Sequence, residues 1–286
     1  MNEARGDDLA LITDITMWLL FYDDLFQHIV DKPQQIAPII QDTLTALHAS
    51  PGSVVASGSR ADHALQDLIQ RTNALMSDEW MRRFRCSVSA FFASILNKSL
   101  ILQDGTPPDV DDALRLRAED VGVRWILDVI ELYRHFELPP VVILTQSFQR
   151  MQTLIVELAA LQNDVSSLQR DLKDPENDGF FNVVLALERQ HRQGISQALR
   201  LAHAMYHHRL AELRTVRYSL TRQLACLELD EDTLIGTRQY IADACNLVPA
   251  LIHAHLDLAA ARGYFREAQE VEVGPDLLTD NRLNVN

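Results

Sequence analysis

The chain has 286 residues, 47% of them hydrophobic and 23% charged, which is enough for one large domain or two small ones with a sizeable core. Its 26 Lys and Arg against 40 Asp and Glu give a net charge of −14, a poor match for the phosphates of DNA or RNA. With 10 Gly and 10 Pro the composition speaks against a many-turned all-β fold, and the scattered Cys86, Cys226 and Cys245 against a disulfide scaffold or a thiolate zinc site.

Apolar residues recur at a helical period through most of the chain. A first helix is read over about residues 8–30, and Pro33 opens a second. The small Gly/Pro-bearing stretch 50–59 is a loop. Helices follow at about 61–76 and 78–102. Asp104-Gly-Thr-Pro-Pro108 breaks the pattern, and Asp109 to Asp112 start a helix that runs to about Leu138. Pro139-Pro140 opens the next, to about Leu172. In it Leu154, Leu158, Leu161, Val165, Leu168 and Leu172 form one continuous apolar stripe. After a polar loop at 173–179, helices are expected over about 180–190, 192–228 and 231–266. A polar, flexible tail follows Ala268. The reading is one all-α domain over 1–286 with about nine helices. No run approaches 18 apolar residues, so no membrane span is expected. Glu3, Asp7 and Asp8 do not suit a signal peptide. Thiols without partners and no leader together point to the cytoplasm.

Two polar clusters stand out. Phe21-Tyr22-Asp23-Asp24-Leu25-Phe26-Gln27-His28 closes an apolar run with adjacent carboxylates. Facing a cavity, Asp23 and Asp24 would be a hard-oxygen site suited to Mg²⁺; facing water, they would be a solvated helix end. In the second, Asn163, Ser167 and Asp171 sit at i, i+4 and i+8 on one helix face, about 100° from the leucine stripe. An amide, a hydroxyl and a carboxylate one turn apart can chelate one hard cation, and the same residues can also simply face water. His203 and His207, four apart, could ligate zinc but have no third ligand, and read as partly exposed histidines.

Taken together, the clusters resemble those of the class I terpene synthases (terpene cyclases), particularly the single-domain bacterial and fungal type. Asp23-Asp24 is similar to the start of that family's aspartate-rich motif. Asn163, Ser167 and Asp171 resemble its NDxxSxxxE/D triad, 140 residues further on. Ala113 to Gly122 resembles its diphosphate-sensor region, with Arg117 in the sensor position 46 residues before Asn163. Arg170 matches a basic position that touches diphosphate. The resemblance spans roughly residues 8–266. It departs at Gln27 and His28, where the family carries a third acid. At the C-terminal Arg-Tyr pair the counterparts here are Arg262 and Tyr264, split by Gly263. The family also places about two helices ahead of its aspartate helix, whereas 22 residues precede Asp23. The expected fold is therefore an all-α bundle of this type, short of its first helices.

The resemblance implies an enzyme that ionises a prenyl diphosphate, most plausibly farnesyl diphosphate, and cyclises the cation to a terpene hydrocarbon or alcohol. It implies three Mg²⁺ ions held by Asp23, Asp24, Asn163, Ser167 and Asp171. Asp23, Arg117 and Asn163 are the expected catalytic residues. Arg117, Arg170, Arg262 and Tyr264 would contact the diphosphate, with Arg117 reserved for it and not for a structural carboxylate. A carbocation needs an apolar, aromatic wall that excludes water. Trp18, Phe21, Tyr22, Phe91, Phe92 and Trp125 are candidates, although each also suits an ordinary core. The alternatives are a prenyl transferase of the same fold, which would want a second aspartate-rich motif, and a catalytically impaired helical binding protein. A homodimer is left open.

Overall fold

The computed structural model describes residues 6–27, 29–49, 59–174 and 179–262, the side chains of residues 7, 24, 27 and 255–262 excepted. The tail expected after 268 lies outside these. The described residues form eleven helices and no strand: α1 (Gly6–Gln27), α2 (Pro33–Leu47), α3 (Arg60–Asn73), α4 (Asp78–Asp104), α5 (Val110–Asp120), α6 (Val123–Arg134), α7 (Pro140–Ile143), α8 (Gln146–Asp171), α9 (Val183–His191), α10 (Ile195–Leu224) and α11 (Glu231–Arg262).

Local chemistry sets most boundaries. Ser77, Asp109, Thr145 and Asn182 cap the N-termini of α4, α5, α8 and α9 with side-chain oxygens. Ser59 and Asp62 form a reciprocal capping box on α3. Asp62 does more than cap. It is 3% exposed and also accepts hydrogen bonds from the Tyr22 hydroxyl of α1 and the Thr43 hydroxyl of α2, so one buried carboxylate fastens three helices.

The structure divides two helices that the sequence pattern runs together. The stretch expected as one helix from 109 to 138 breaks between α5 and α6. Gly122 there has φ 75°, and a Cβ on it would stand 3.0 Å from the Trp125 indole nitrogen. The stretch opened by Pro140 stops after one turn at α7, and Thr145 caps a fresh start. α8 is the central element, packing on α5, α6, α7, α9, α10 and α11. Its leucine stripe is buried at Leu154, Leu158, Leu161 and Leu168, while Leu172 is 40% exposed. Ile155, Val156, Ala159 and Ala160 are buried too, so its middle is enclosed on more sides than one stripe implies.

By length and composition α4 could cross a membrane. In the fold it is a core helix, burying Trp80, Met81, Phe84, Val88, Phe91, Phe92 and Ile95 against neighbouring helices. Its Arg83 donates to both carboxylate oxygens of Glu131 on α6, at 2.8 and 2.9 Å, and Glu131 also accepts from the Leu138 amide. Asp128, one turn earlier on α6, is 6% exposed. Its nearest guanidinium nitrogen is 4.0 Å away, and Oδ2 has no hydrogen-bond partner.

Burial pushes the Asp128 carboxyl up to about 7. In the unfolded chain the same group ionises near pH ~4. Stability from this group is therefore intact below that pH and is lost as pH rises through about 7. Asp128→Asn should flatten the decline between pH 5 and 8 by on the order of 3 kcal/mol in denaturant titrations, the scale of such a shift. An unchanged slope would show that Asp128 ionises normally.

Candidate functional site

A cavity of about 340 Å³ opens between α1, α4, the α5–α6 break and α8. Leu19, Leu20, Phe26, Phe91, Ile95, Val123, Trp125, Ile126 and Ala159 form its apolar wall. Asp23, Lys98, Arg117, Asp120, Asn163, Arg170 and Asp171 form its polar part. The size falls in the range of roughly 300–1,000 Å³ usual for small-molecule sites. Asp23 of α1 and Asn163 of α8, 140 residues apart, thus border one space.

The polar residues of α8 are already engaged. Arg117 is the hub. Its Nε donates to Asp164 at 2.7 Å, one terminal nitrogen donates to Asn163 Oδ1 at 2.6 Å, and the other pairs with Asp120. Burial works against its charge, but Asp120 and Asp164 outweigh that and hold the guanidinium above its ordinary value. The expectation that Arg117 is kept away from structural carboxylates is therefore corrected in this structure. It is paired with two of them, because a buried guanidinium needs counter-charges.

Further along α8, Ser167 Oγ donates to Asp171 Oδ2 at 2.7 Å, and Arg170 donates to Asp171 Oδ1 at 3.0 Å. Asn182, the cap of α9, donates to the same Asp171 Oδ2 and to the Asp164 carbonyl. Ser167 itself does not line the cavity.

Asn163, Ser167 and Asp171 are three hard-oxygen donors on successive turns of one helix, and Asp23 adds a carboxylate from α1. This donor set suits Mg²⁺ and not a soft metal. Among the described residues no three His, Cys, Asp or Glu are placed to hold one metal ion, so any metal site here relies on the amide and hydroxyl oxygens as well. The His203 and His207 Nε2 atoms lie 2.7 Å apart on α10, half-buried and away from this cavity.

Of the six aromatic candidates, Phe91 and Trp125 line the cavity. The other four do not, which corrects the sequence reading. Trp18 turns its indole N–H to the Ala61 carbonyl, and Tyr22 is 1% exposed with its hydroxyl on Thr43 and Asp62. Phe92 is fully buried edge-on against Trp18, Tyr22 and Phe26. Phe21 is 51% exposed. Thr16, Leu19, Leu20 and Asp23 take the cavity side of α1, so Trp18 and Tyr22 fall on another stripe of the same helix. The side chains of Asp24 and Arg262, and all of Tyr264, lie outside the described residues.

Sequence reasoning did not single out Lys98, Asp164, Phe181 or Asn182; Asp120 was open to it as an ion-pair partner of Arg117, three residues back on one helix, and the structure makes that pair. Asn182, just ahead of an apolar run, was legible as a helix cap. The pairing of Asp164 with Arg117 has no local signal.

Residues 14–212 match the family described as terpene synthase family 2, C-terminal metal binding. The chain is 30% identical over 249 residues to the (−)-β-caryophyllene synthase ((2E,6E)-farnesyl diphosphate cyclizing) of Saccharothrix espanaensis, covering 85% of this chain and 68% of that protein. It is 27% identical to pentalenene synthase of Streptomyces arenae over 70% of this chain and 58% of that one, less than two thirds of its length. The crystal structure of germacradien-4-ol synthase from Streptomyces citricolor superposes with a TM-score of 0.77 at 24% identity, covering 88% of this chain and 79% of that chain. The chain belongs to the terpene synthase family and has the all-α fold of its class I members.

Asp164 joins three helices: Oδ1 to Arg117 on α5 and Oδ2 to the Val183 amide at the start of α9, from its own place on α8. Asp164→Ala takes from a buried guanidinium one of its two carboxylates and leaves the Val183 amide without its acceptor. It should cost about 3–5 kcal/mol in chemical denaturation, as for other broken buried pairs. A loss below ~1 kcal/mol, the surface-pair range, would show that the pair is not held in solution.

Proposed function

We propose that the protein is a Mg²⁺-dependent class I terpene synthase that ionises a prenyl diphosphate, most simply farnesyl diphosphate, and cyclises the resulting cation within a single domain. The observation that carries this reading is the cavity itself. It is polar at Asp23, Asn163, Arg170 and Asp171 and apolar at Phe91, Trp125, Ile95 and Leu19. The substrate assignment is supported by the Saccharothrix relative, a (2E,6E)-farnesyl diphosphate cyclizing synthase.

Charge balance supports a need for added cations. Lys98, Arg117 and Arg170 face Asp23, Asp120, Asp164 and Asp171. These protein charges already offset one another, so little positive charge remains for a diphosphate. Asp23, Asn163, Ser167 and Asp171, with Asp24 by resemblance, would hold Mg²⁺, which neutralises the departing diphosphate as a Lewis acid. Arg117 and Arg170 would donate charge-assisted hydrogen bonds to the diphosphate oxygens. Moving the Arg117 bond from Asn163 Oδ1 to the anion would leave that oxygen freer to bind the metal, which would couple the two events at one side chain. Phe91, Trp125 and the aliphatic wall would exclude water and offer ring faces to the allylic cation.

A second reading, a binding protein without turnover, draws on the same internal hydrogen bonds, which would then stay closed. One assay separates the two. Purified protein is incubated with geranyl, farnesyl and geranylgeranyl diphosphates and Mg²⁺, with and without chelator, and volatile products are analysed. A cyclic product from farnesyl diphosphate that chelator abolishes is expected. Asp23→Ala and Asn163→Ala should each cut turnover at least ~10-fold, since even outer-sphere losses reach that size. No product from any of the three substrates, or full activity in both variants, would overturn the reading.

A further inference from the structure

Asp120, the last residue of α5, is a buried carboxylate shared by two cations. One oxygen pairs with Arg117, one turn back on the same helix; the other pairs with Lys98, which comes from α4. Lys98 is itself largely buried, with 18% of its side chain exposed, and its ammonium sits 5.1 Å from the centroid of the Phe181 ring. All four residues border the cavity.

The two cations are not equally committed. Arg117 spends its fork on Asp164, Asp120 and Asn163, from three directions. Each terminal nitrogen has one further N–H, but swinging the fork toward an anion would draw it away from one of these acceptors. Asp164 keeps a second donor in the Val183 amide. Asp120 would keep Lys98. A buried carboxylate abandoned by its last counter-charge is strongly disfavoured, whereas one that retains a cation is not. A lysine suits the retaining role, because a compact charge with three rotatable donors can follow a carboxylate as its other partner leaves.

We propose that Lys98 is a positioning residue: by keeping Asp120 neutralised, it allows Arg117 to transfer a hydrogen bond from Asp120 to the diphosphate of the substrate. This rests on the synthase reading above. Lys98 acts through Asp120 and does not itself grip the anion.

The test measures binding of inorganic pyrophosphate with Mg²⁺ by calorimetry, alongside kcat and KM for the prenyl diphosphate. Lys98→Met keeps the apolar stem and removes the charge. Arg117 is then locked to Asp120, and pyrophosphate affinity should fall about 10-fold, the scale of outer-sphere losses. Lys98→Arg should restore most of it. In an Asp120→Asn background Lys98→Met should have no further effect, because no carboxylate is left to strand. That comparison stands even if Lys98→Met alone does not fold. Wild-type affinity in Lys98→Met overturns the proposal, and so does an undiminished effect of Lys98→Met in the Asp120→Asn background, which would mean direct contact with the anion. Wild-type protein that neither binds pyrophosphate with Mg²⁺ nor turns over a prenyl diphosphate overturns the synthase reading and this inference with it. Binding and turnover by wild type beside an unaffected Lys98→Met overturn the role of Lys98 alone.

Discussion

The guanidinium of Arg117 is the constraint around which this bundle is organised. Nearly enclosed, it stays charged because Asp120 and Asp164 flank it and Asn163 takes a third hydrogen bond. A buried ion of this kind is tolerable only when every partner is in place, so α5 and α8 must hold a fixed register. Asp164 passes the constraint to α9 through the Val183 amide, and Asn182 passes it on to Asp171. Asp120 passes it to α4 through Lys98. One charged fork thus sets the relative positions of four helices around the cavity. A buried apolar cluster at Leu114, Leu161, Leu168, Val183 and Val184 also joins α5, α8 and α9, and the fork adds direction to that non-directional contact.

The same feature explains why the α5–α6 break falls where it does. A helix continued straight through Gly122 would carry Val123 and Trp125 along the α5 axis. The left-handed Gly122 turns the chain instead, so that Val121, Gly122 and Trp125 all border the cavity. A Cβ on Gly122 would stand 3.0 Å from the Trp125 indole nitrogen, so the indole would have to give way by a few tenths of an ångström. The break sits two residues from Asp120, so the Arg117–Asp120 pair adjoins this stretch of the cavity wall.

Much of the fold was legible from residue types alone. Pro33, Pro139-Pro140 and the capping residues mark helix ends by local chemistry, and the i, i+4, i+8 spacing of Asn163, Ser167 and Asp171 is visible in one dimension. What could not be read is what depends on partners distant in sequence. The apolar residues of α1 run nearly all round the helix, so nothing local distinguishes the cavity side, at Leu19, Leu20 and Asp23, from the side of Trp18 and Tyr22. Only Thr43 and Asp62, on two other helices, decide that Tyr22 points away. In the same way Asp164 looks like an ordinary helical acid until α5 and α8 are laid side by side. The Gly122 break was masked because a single glycine is tolerated in a helical pattern, and only its positive φ shows that the helix has ended.

Along α8 the positions Ala159, Asn163, Ser167 and Asp171 fall four residues apart, and Ala159, Asn163 and Asp171 border the cavity. At about 1.5 Å of rise per residue, each step carries the wall ~6 Å along the helix axis. The apolar floor at Ala159 and the oxygen donor of Asn163 are therefore one turn apart by construction, and no loop movement can separate them. On the reading proposed above, metal ions held near Asn163 and Asp171 would draw the anionic head of the substrate there, and its hydrocarbon tail would lie on the side of Ala159, Phe91 and Ile95. Head position is fixed by hydrogen bonds with narrow geometric tolerance, whereas tail position is fixed by the shape of aliphatic and aromatic surfaces. Substitutions at the two ends should separate accordingly. Changes near Asn163 act on whether a ligand is held at all, and changes near Ile95 and Phe91 act on how its tail is folded.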